Sequence, residues 1–285
     1  MEIATTIEAA RAACRAAHRA GQRIGLVPTM GALHEGHISL VRLAKAQSDF
    51  VAVSIFVNPL QFAPTEDLAR YPRDFERDRD LLQQEGVDLI FAPTVSEMYP
   101  APAITYVKVE GLSERLDGHS RPGHFRGVAT VVSKLFHIVE PDLAVFGQKD
   151  AAQAAIIRRM VCDLNMPVEI EVAPIVREPD GLAMSSRNAY LDTKQRKQAL
   201  VLSRALKCVQ ETFERGERSS AKLIAAGGMI LEEEPDVRLD YLSVVDPDSL
   251  EPVDNISGDT LVAVAAHVGT TRLIDNFILR PPRST

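Results

Sequence analysis

Two histidines stand three residues apart in the segment Pro28-Thr29-Met30-Gly31-Ala32-Leu33-His34-Glu35-Gly36-His37. On a helical turn that spacing puts both rings on one side. Paired imidazoles can donate to phosphate oxygens and stabilise negative charge that develops in a transition state. Gly31 and Gly36 let the backbone approach a ligand closely. The apolar run before the segment and the periodic run after it predict a strand, a loop and a helix that opens near His37. A helix N-terminus adds unpaired N–H groups and a partial positive charge, which suit phosphate. Zinc is a competing chemistry, but the segment lacks the His-Glu-x-x-His spacing. Nothing in the sequence brings His119 or His124 close enough to complete a metal site. A histidine pair with a purely structural role is the plainer alternative.

A second group is Met184-Ser185-Ser186-Arg187-Asn188, just past the turn signal Glu178-Pro179-Asp180-Gly181. Two hydroxyls, a guanidinium and a flexible lead-in read as a mobile phosphate clamp, because arginine offers a planar fork of donors. Taken alone, the same residues also fit an ordinary polar loop. Lys149 is a point charge after an apolar run, suited to phosphate or to bare surface. Arg121-Pro122-Gly123-His124-Phe125-Arg126-Gly127 is basic and glycine-rich just ahead of a helical pattern.

These groups need elements to position them. Apolar runs at Ile24–Val27, Phe50–Val57, Val87–Phe91, Leu143–Phe146 and Val168–Val176 predict strands. Ile104–Val109 alternates and predicts a further strand nearer an edge. Helical patterns at Ile7–Ala20, His37–Gln47, Phe75–Glu85, Phe125–Val139 and Asp150–Leu164 lie between them. This rhythm predicts an α/β fold: a Rossmann-like, doubly wound parallel sheet. Ligands bind such sheets at the carboxyl ends of strands where the order reverses. That rule selects 28–37, 58–61, 147–150 and Val176. After Arg177 come two helical patterns (Lys194–Arg215 and Ala221–Glu233) and three strand-like runs near 239–245, 261–267 and 273–279. They predict a smaller C-terminal α+β domain, giving domains of 1–177 and 178–285.

The chain has 285 residues, with 32 Lys plus Arg against 39 Asp plus Glu, a formal charge of −7. That balance disfavours a nucleic-acid binder, which usually carries a basic footprint. No run reaches the roughly 18 apolar residues of a membrane span. Glu2 and Glu8 argue against a transit peptide. Cys14, Cys162 and Cys208 have no metal or redox spacing, so free thiols in a reducing cytoplasm are expected.

Strand–loop–helix with His-x-x-His and a distant serine-rich basic loop is the pattern of the nucleotidyltransferase superfamily, which includes class I aminoacyl-tRNA synthetases. The resemblance becomes closer on five segments taken together. These are 28–37, Phe56-Val57-Asn58-Pro59-Leu60-Gln61-Phe62, Phe146-Gly147-Gln148-Lys149-Asp150, Met184-Ser185-Ser186-Arg187-Asn188 and Arg272-Leu273-Ile274-Asp275-Asn276. In this order they resemble the pantothenate synthetase (pantoate–β-alanine ligase) family, over essentially the whole chain.

The resemblance implies condensation of pantoate with β-alanine to pantothenate, driven by ATP through a pantoyl adenylate, with AMP and pyrophosphate released. It implies an ATP site of Met30, Gly31, Ala32, Leu33, His34, Glu35, Gly36, His37, Gly147, Gln148, Lys149, Asp150, Val176, Met184, Ser185, Ser186 and Arg187. Within it His34, His37, Lys149 and Arg187 would be catalytic, with His37 the proton donor to the departing group. Asp150 would hold a ribose hydroxyl, or cap the next helix with equal force. Pantoate would meet Gln61, Gln153, Asn58 and Arg121, and Gln61 would also serve β-alanine. Mg²⁺ is expected with ATP, without identified ligands. A cytoplasmic homodimer, a lid-like C-terminal domain, and no nucleic-acid or membrane partner complete the expectation. One departure stands out. Ala151 and Ala152 occupy positions where the family often has an aromatic and a glutamine, which implies altered packing beside the pocket. Another adenylate-forming enzyme and a non-catalytic nucleotide-binding module are the alternatives. A tRNA synthetase is disfavoured by the acidic balance, and the retained His34, His37 and Lys149 argue against the module.

Overall fold

The computed structural model describes residues 1–64 and 66–281. Six strands form a parallel sheet: β1 (Glu2–Ala4), β2 (Ile24–Thr29), β3 (Phe50–Ile55), β4 (Leu89–Phe91), β5 (Leu143–Gly147) and β6 (Glu169–Ala173). Their order is β1-β4-β3-β2-β5-β6, so the chain reverses its direction of winding between β2 and β5. The helices around them are α1 (Ile7–Arg19), α2 (Glu35–Gln47), α3 (Phe75–Gln84), α4 (Val95–Met98), α5 (Asp117–Ser120), α6 (His124–Val139) and α7 (Ala151–Asp163).

Strand residues alternate between two cores, as a sheet covered on both faces requires. Leu26, Ala144 and Phe146 join α1, α6 and α7 in one core. Val27, Leu143 and Val145 join α2 and α3 in the other. The register opens the binding crevice. β2 pairs with β3 as far as Thr29↔Ile55, but with β5 only at Gly25↔Leu143 and Leu26↔Ala144. Past those pairs the carboxyl ends of β2 and β5 part.

Two further helices, α8 (Thr193–Glu214) and α9 (Ser220–Leu231), cover one face of a second, antiparallel sheet. That sheet contains β7 (Val237–Val245), β8 (Thr260–Val268) and β9 (Thr271–Leu279), in that order. On β8, Val262, Val264 and Ala266 face the helices, whereas Leu261 and Ala263 join the core shared by α6 and α7. An apolar seam therefore fastens the small sheet to the large one.

Two expectations change. Ile104–Val109 forms no strand; Val107 instead bonds the Thr130 hydroxyl through both its N–H and its carbonyl. Its alternation records a buried Val109 and an 81 % exposed Ile104, not a ladder. The edge strand β1 is an addition to the expected set, because its three residues carry no period. Among the described residues no helix is long and apolar enough to cross a membrane. The three cysteines are free, and burial pushes the Cys14 thiol up to about 12.

Candidate active site at the sheet reversal

A cavity of about 200 Å³ opens where β2 and β5 part. His34 caps α2, whose first turn begins two residues earlier than the periodicity predicts. The His34 and His37 rings stack tilted, with centroids 4.1 Å apart. Their approach needs Gly36: a Cβ there would lie 2.9 Å from His34 Nδ1 and Cε1. The His34 N–H points to His37 Nδ1 at 3.4 Å, which leaves the His37 proton on Nε2. Burial lowers the His34 pKa to about 4, helped by the Lys149 ammonium. Burial, His34 and Lys149 together hold His37 well below its ordinary value. Both rings are therefore neutral near pH 7, and each carries one N–H donor.

The turn before α2 is held from beneath. Asp78, 1 % exposed on α3, accepts the N–H groups of Ala32 and Leu33, both at 2.8 Å. Ala32 sits at φ 52°, a left-handed conformation costly for a residue with a side chain. The Asp78 carboxylate compensates by satisfying two buried donors at that bend.

Beyond β3, Asn58 uses its full carboxamide capacity. It donates to Gln61 Oε1 and the Gly127 carbonyl, at 3.0 and 3.1 Å. It accepts from Tyr99 Oη and the Leu60 N–H, at 2.8 and 3.3 Å. Asn58 thus orients Gln61, which is 9 % exposed. Gly127 lets α6 close on this turn, since a Cβ there would meet the Leu60 carbonyl oxygen at 2.2 Å.

Loops form the opposite wall. Arg121 reaches Glu66 with two nitrogens at 2.6 and 2.8 Å, and the Gln61 carbonyl at 3.2 Å. It also donates to His124 Nε2 at 3.0 Å, while His124 Nδ1 donates to the Gln61 carbonyl at 2.8 Å. Burial, with Arg121 adjacent, lowers the His124 pKa to about 4. Arg187 reaches both Asp67 oxygens at 3.2 Å, and Ser186 meets Tyr71 Oη at 3.2 Å. Burial pushes the Glu66 and Asp67 carboxyls up, but their arginines outweigh it and hold both below the usual range. A second cavity of about 830 Å³ adjoins the first and shares Arg121, His124, Lys149, Asp150, Gln153, Ser185 and Arg187 with it.

Sixteen of the sequence-selected residues meet at the first cavity: Met30, His34, Gly36, His37, Asn58, Gln61, Arg121, Gly147, Lys149, Asp150, Gln153, Val176, Met184, Ser185, Ser186 and Arg187. Five do not. Gly31 lines a separate apolar hollow, and Ala32 and Leu33 face Asp78. Glu35 is exposed and pairs with Arg42, and Gln148 turns to Asn276. Asp150 precedes α7 but its side chain makes no cap hydrogen bond; its carboxylate lies at the cavity, 3.8 Å from Lys149 Nζ. Ala152 is buried in the core, where its small side chain packs beside the site. Sequence reasoning missed Asp78, Glu66, Asp67 and Tyr71. Each carried only the signal of a charged helix or polar loop.

Among the described residues no three His, Cys, Asp or Glu side chains gather as a metal cluster. A Mg²⁺ ion that travels on nucleotide phosphates needs only one or two protein carboxylates. Asp150, half-exposed at the cavity, fits that demand.

The pantoate-beta-alanine ligase family model matches residues 2–278. The pantothenate synthetase of Koribacter versatilis is 60 % identical over 280 residues, covering 98 % of this chain and 96 % of that protein. That of Acidobacterium capsulatum is 64 % identical over 256 residues, covering 90 % and 86 %. The crystal structure of pantothenate synthetase from Thermus thermophilus superposes with a TM-score of 0.94 at 48 % identity, covering 99 % and 100 %. Pantoate-beta-alanine ligase from Francisella tularensis, complexed with beta-gamma ATP and beta-alanine, superposes at 0.80 with 33 % identity, covering 98 % and 97 %. With a fold that superposes on solved pantothenate synthetases and relatives this similar along its length, the chain belongs to the pantoate–β-alanine ligase family and is an enzyme of ATP-dependent pantothenate formation.

Proposed function

We propose that the enzyme condenses pantoate with β-alanine by way of a pantoyl adenylate. The observation that carries this reading is the convergence of two neutral imidazoles and the Lys149 ammonium at the mouth of the sheet reversal. A carboxylate is a poor electrophile, and AMP makes it a good one. A pantoate carboxylate oxygen attacks the α-phosphorus, and the bond to the β-phosphate bridging oxygen breaks. Negative charge gathers on the departing pyrophosphate. Fixed donors and a cation near that charge lower the barrier most. Lys149 supplies the cation, and His34 and His37 supply N–H donors whose dry surroundings strengthen each bond. The β-alanine amine then attacks the acyl carbon, AMP leaves, and the amine loses a proton.

The Gln61 and Gln153 carboxamides suit pantoate, since they donate to a carboxylate and accept from hydroxyls. Gln61 also suits β-alanine, and the Francisella ligase complex with beta-alanine supports a β-alanine subsite in this fold. Arg121 offers the anion-binding fork, and Asn58 acts through Gln61. Met30, Gly36, Gly147, Val176 and Met184 suit nucleotide contact. Ser185, Ser186 and Arg187 suit closure over the triphosphate, which keeps water from the acyl adenylate. Mg²⁺ held at Asp150 would neutralise phosphate charge. Residues 1–177 are proposed as the ATP and pantoate domain and 178–285 as the part that covers it. A cytoplasmic homodimer is the proposed working form, supported by the family resemblance alone.

The test is to supply pantoate, β-alanine and ATP and to score the nucleotide product. AMP with pyrophosphate is expected. ADP with phosphate would mean an acyl phosphate and overturn the adenylate reading.

A further inference from the structure

The segment Arg272-Leu273-Ile274-Asp275-Asn276 lies on β9, and none of the roles above uses it. Asn276 is 3 % exposed, yet its carboxamide is almost fully engaged. Its Nδ2 donates to the carbonyls of Gln148 and Lys149, at 3.0 and 2.9 Å. Its Oδ1 accepts from Gln148 Nε2 at 2.9 Å. These three bonds grip the short turn Gln148–Asp150 that carries Lys149 between β5 and α7. Gly147, which precedes the turn, has no side chain to cap it, and Asp150 makes no cap bond to α7. The adjacent Asp275 holds Arg177 through two bonds, at 2.6 and 2.9 Å.

We propose that Asn276 is a positioning residue for Lys149. A lysine head rides on four flexible carbons, so its aim depends on how firmly its own backbone is rooted. Asn276 roots it from a strand 127 residues away. The small sheet is then part of the catalytic framework, and β9 stays seated while loops close. The inference rests on the reading of Lys149 as the cation that faces the phosphates. No other side chain of similar size does the same work. Leucine offers no donors, and aspartate turns both donors into acceptors facing two carbonyls.

The test is a double-mutant cycle on pantoate-dependent ATP–pyrophosphate exchange with Lys149→Ala, Asn276→Ala and the double variant. Asn276→Leu, which keeps the volume without burying a charge against the two carbonyls, is the second single variant should Asn276→Ala fold poorly. Asn276→Ala is expected to lower kcat and kcat/KM together by about 10- to 100-fold, as a misaimed cation would. In the Lys149→Ala background the same change should cost less than about threefold. An equal loss in both backgrounds would overturn the proposal, because it would act without Lys149. So would near-normal exchange in both Asn276 variants while Lys149→Ala is slow. If Lys149→Ala itself exchanges at the normal rate, the reading of Lys149 fails and the proposal falls with it, a pattern distinct from the other two.

Discussion

The two walls of the cavity are held by different kinds of bond. On the strand-end wall, buried Asp78, Asn58 and Asn276 bind backbone groups of the segments that carry His34, His37, Gln61 and Lys149. On the loop wall, Arg121 and Arg187 are held by the side chains of Glu66 and Asp67. A buried side chain on a main-chain group fixes geometry, because neither partner has another place to go. An ion pair between partly exposed side chains exchanges when another anion arrives. In the proposed mechanism the groups that would stabilise developing charge are thus preorganised, whereas the arginines that would grip substrate anions are paired with carboxylates they can release.

Asp78→Ala should break the first wall most severely. It strands the N–H groups of Ala32 and Leu33 at a left-handed bend. Denaturant unfolding should report a loss of about 2–6 kcal/mol, since each of the two orphaned donors costs about 1–3. Exchange should slow by about 100-fold through displaced histidines. A variant with unchanged stability and rate would mean that Asp78 does not hold the turn.

Acid comes next. His34, His37 and His124 have folded pKa values below the unfolded value, near 4 for His34 and His124. As pH falls from about 6.5 toward about 4, the unfolded chain takes up protons that the folded chain refuses. Stability is therefore full above about pH 6.5 and is lost on the acid side. His124→Gln should flatten the slope of unfolding free energy against pH in that window by about 1 kcal/mol per pH unit near pH 5.5. An unchanged slope would contradict a buried neutral His124.

The smallest effect belongs to the loop wall. Asp67→Asn weakens the hold on Arg187 but leaves the guanidinium at the cavity. The KM for ATP should move by less than about fivefold, because a partly exposed pair contributes at most about 1 kcal/mol. A loss as large as that of Asp78→Ala would erase the distinction between the walls.

How much of this was legible in sequence follows the same division. Apolar runs marked β2, β3 and β5, and their carboxyl ends marked the crevice. The histidine spacing and the five ordered segments marked the chemistry. The supports were not legible. Asp78 sits in a run of charges, Phe75–Gln84, where only its α3 packing separates it from Glu76 or Asp80. Glu66 and Asp67 gain meaning only from arginines 55 and 120 residues away. The family resemblance placed Ala32 and Leu33 in the nucleotide site, but no sequence signal showed that their N–H groups would be bound by Asp78. Sequence pattern records period and residue type, while a support is defined by its distant partner.

The most direct test of the central claim is isotope exchange between pyrophosphate and ATP, with pantoate present and β-alanine absent. The adenylate mechanism predicts exchange that requires pantoate and needs no β-alanine, with AMP released only when the amine is added. Exchange without pantoate, or none until β-alanine arrives, would contradict it.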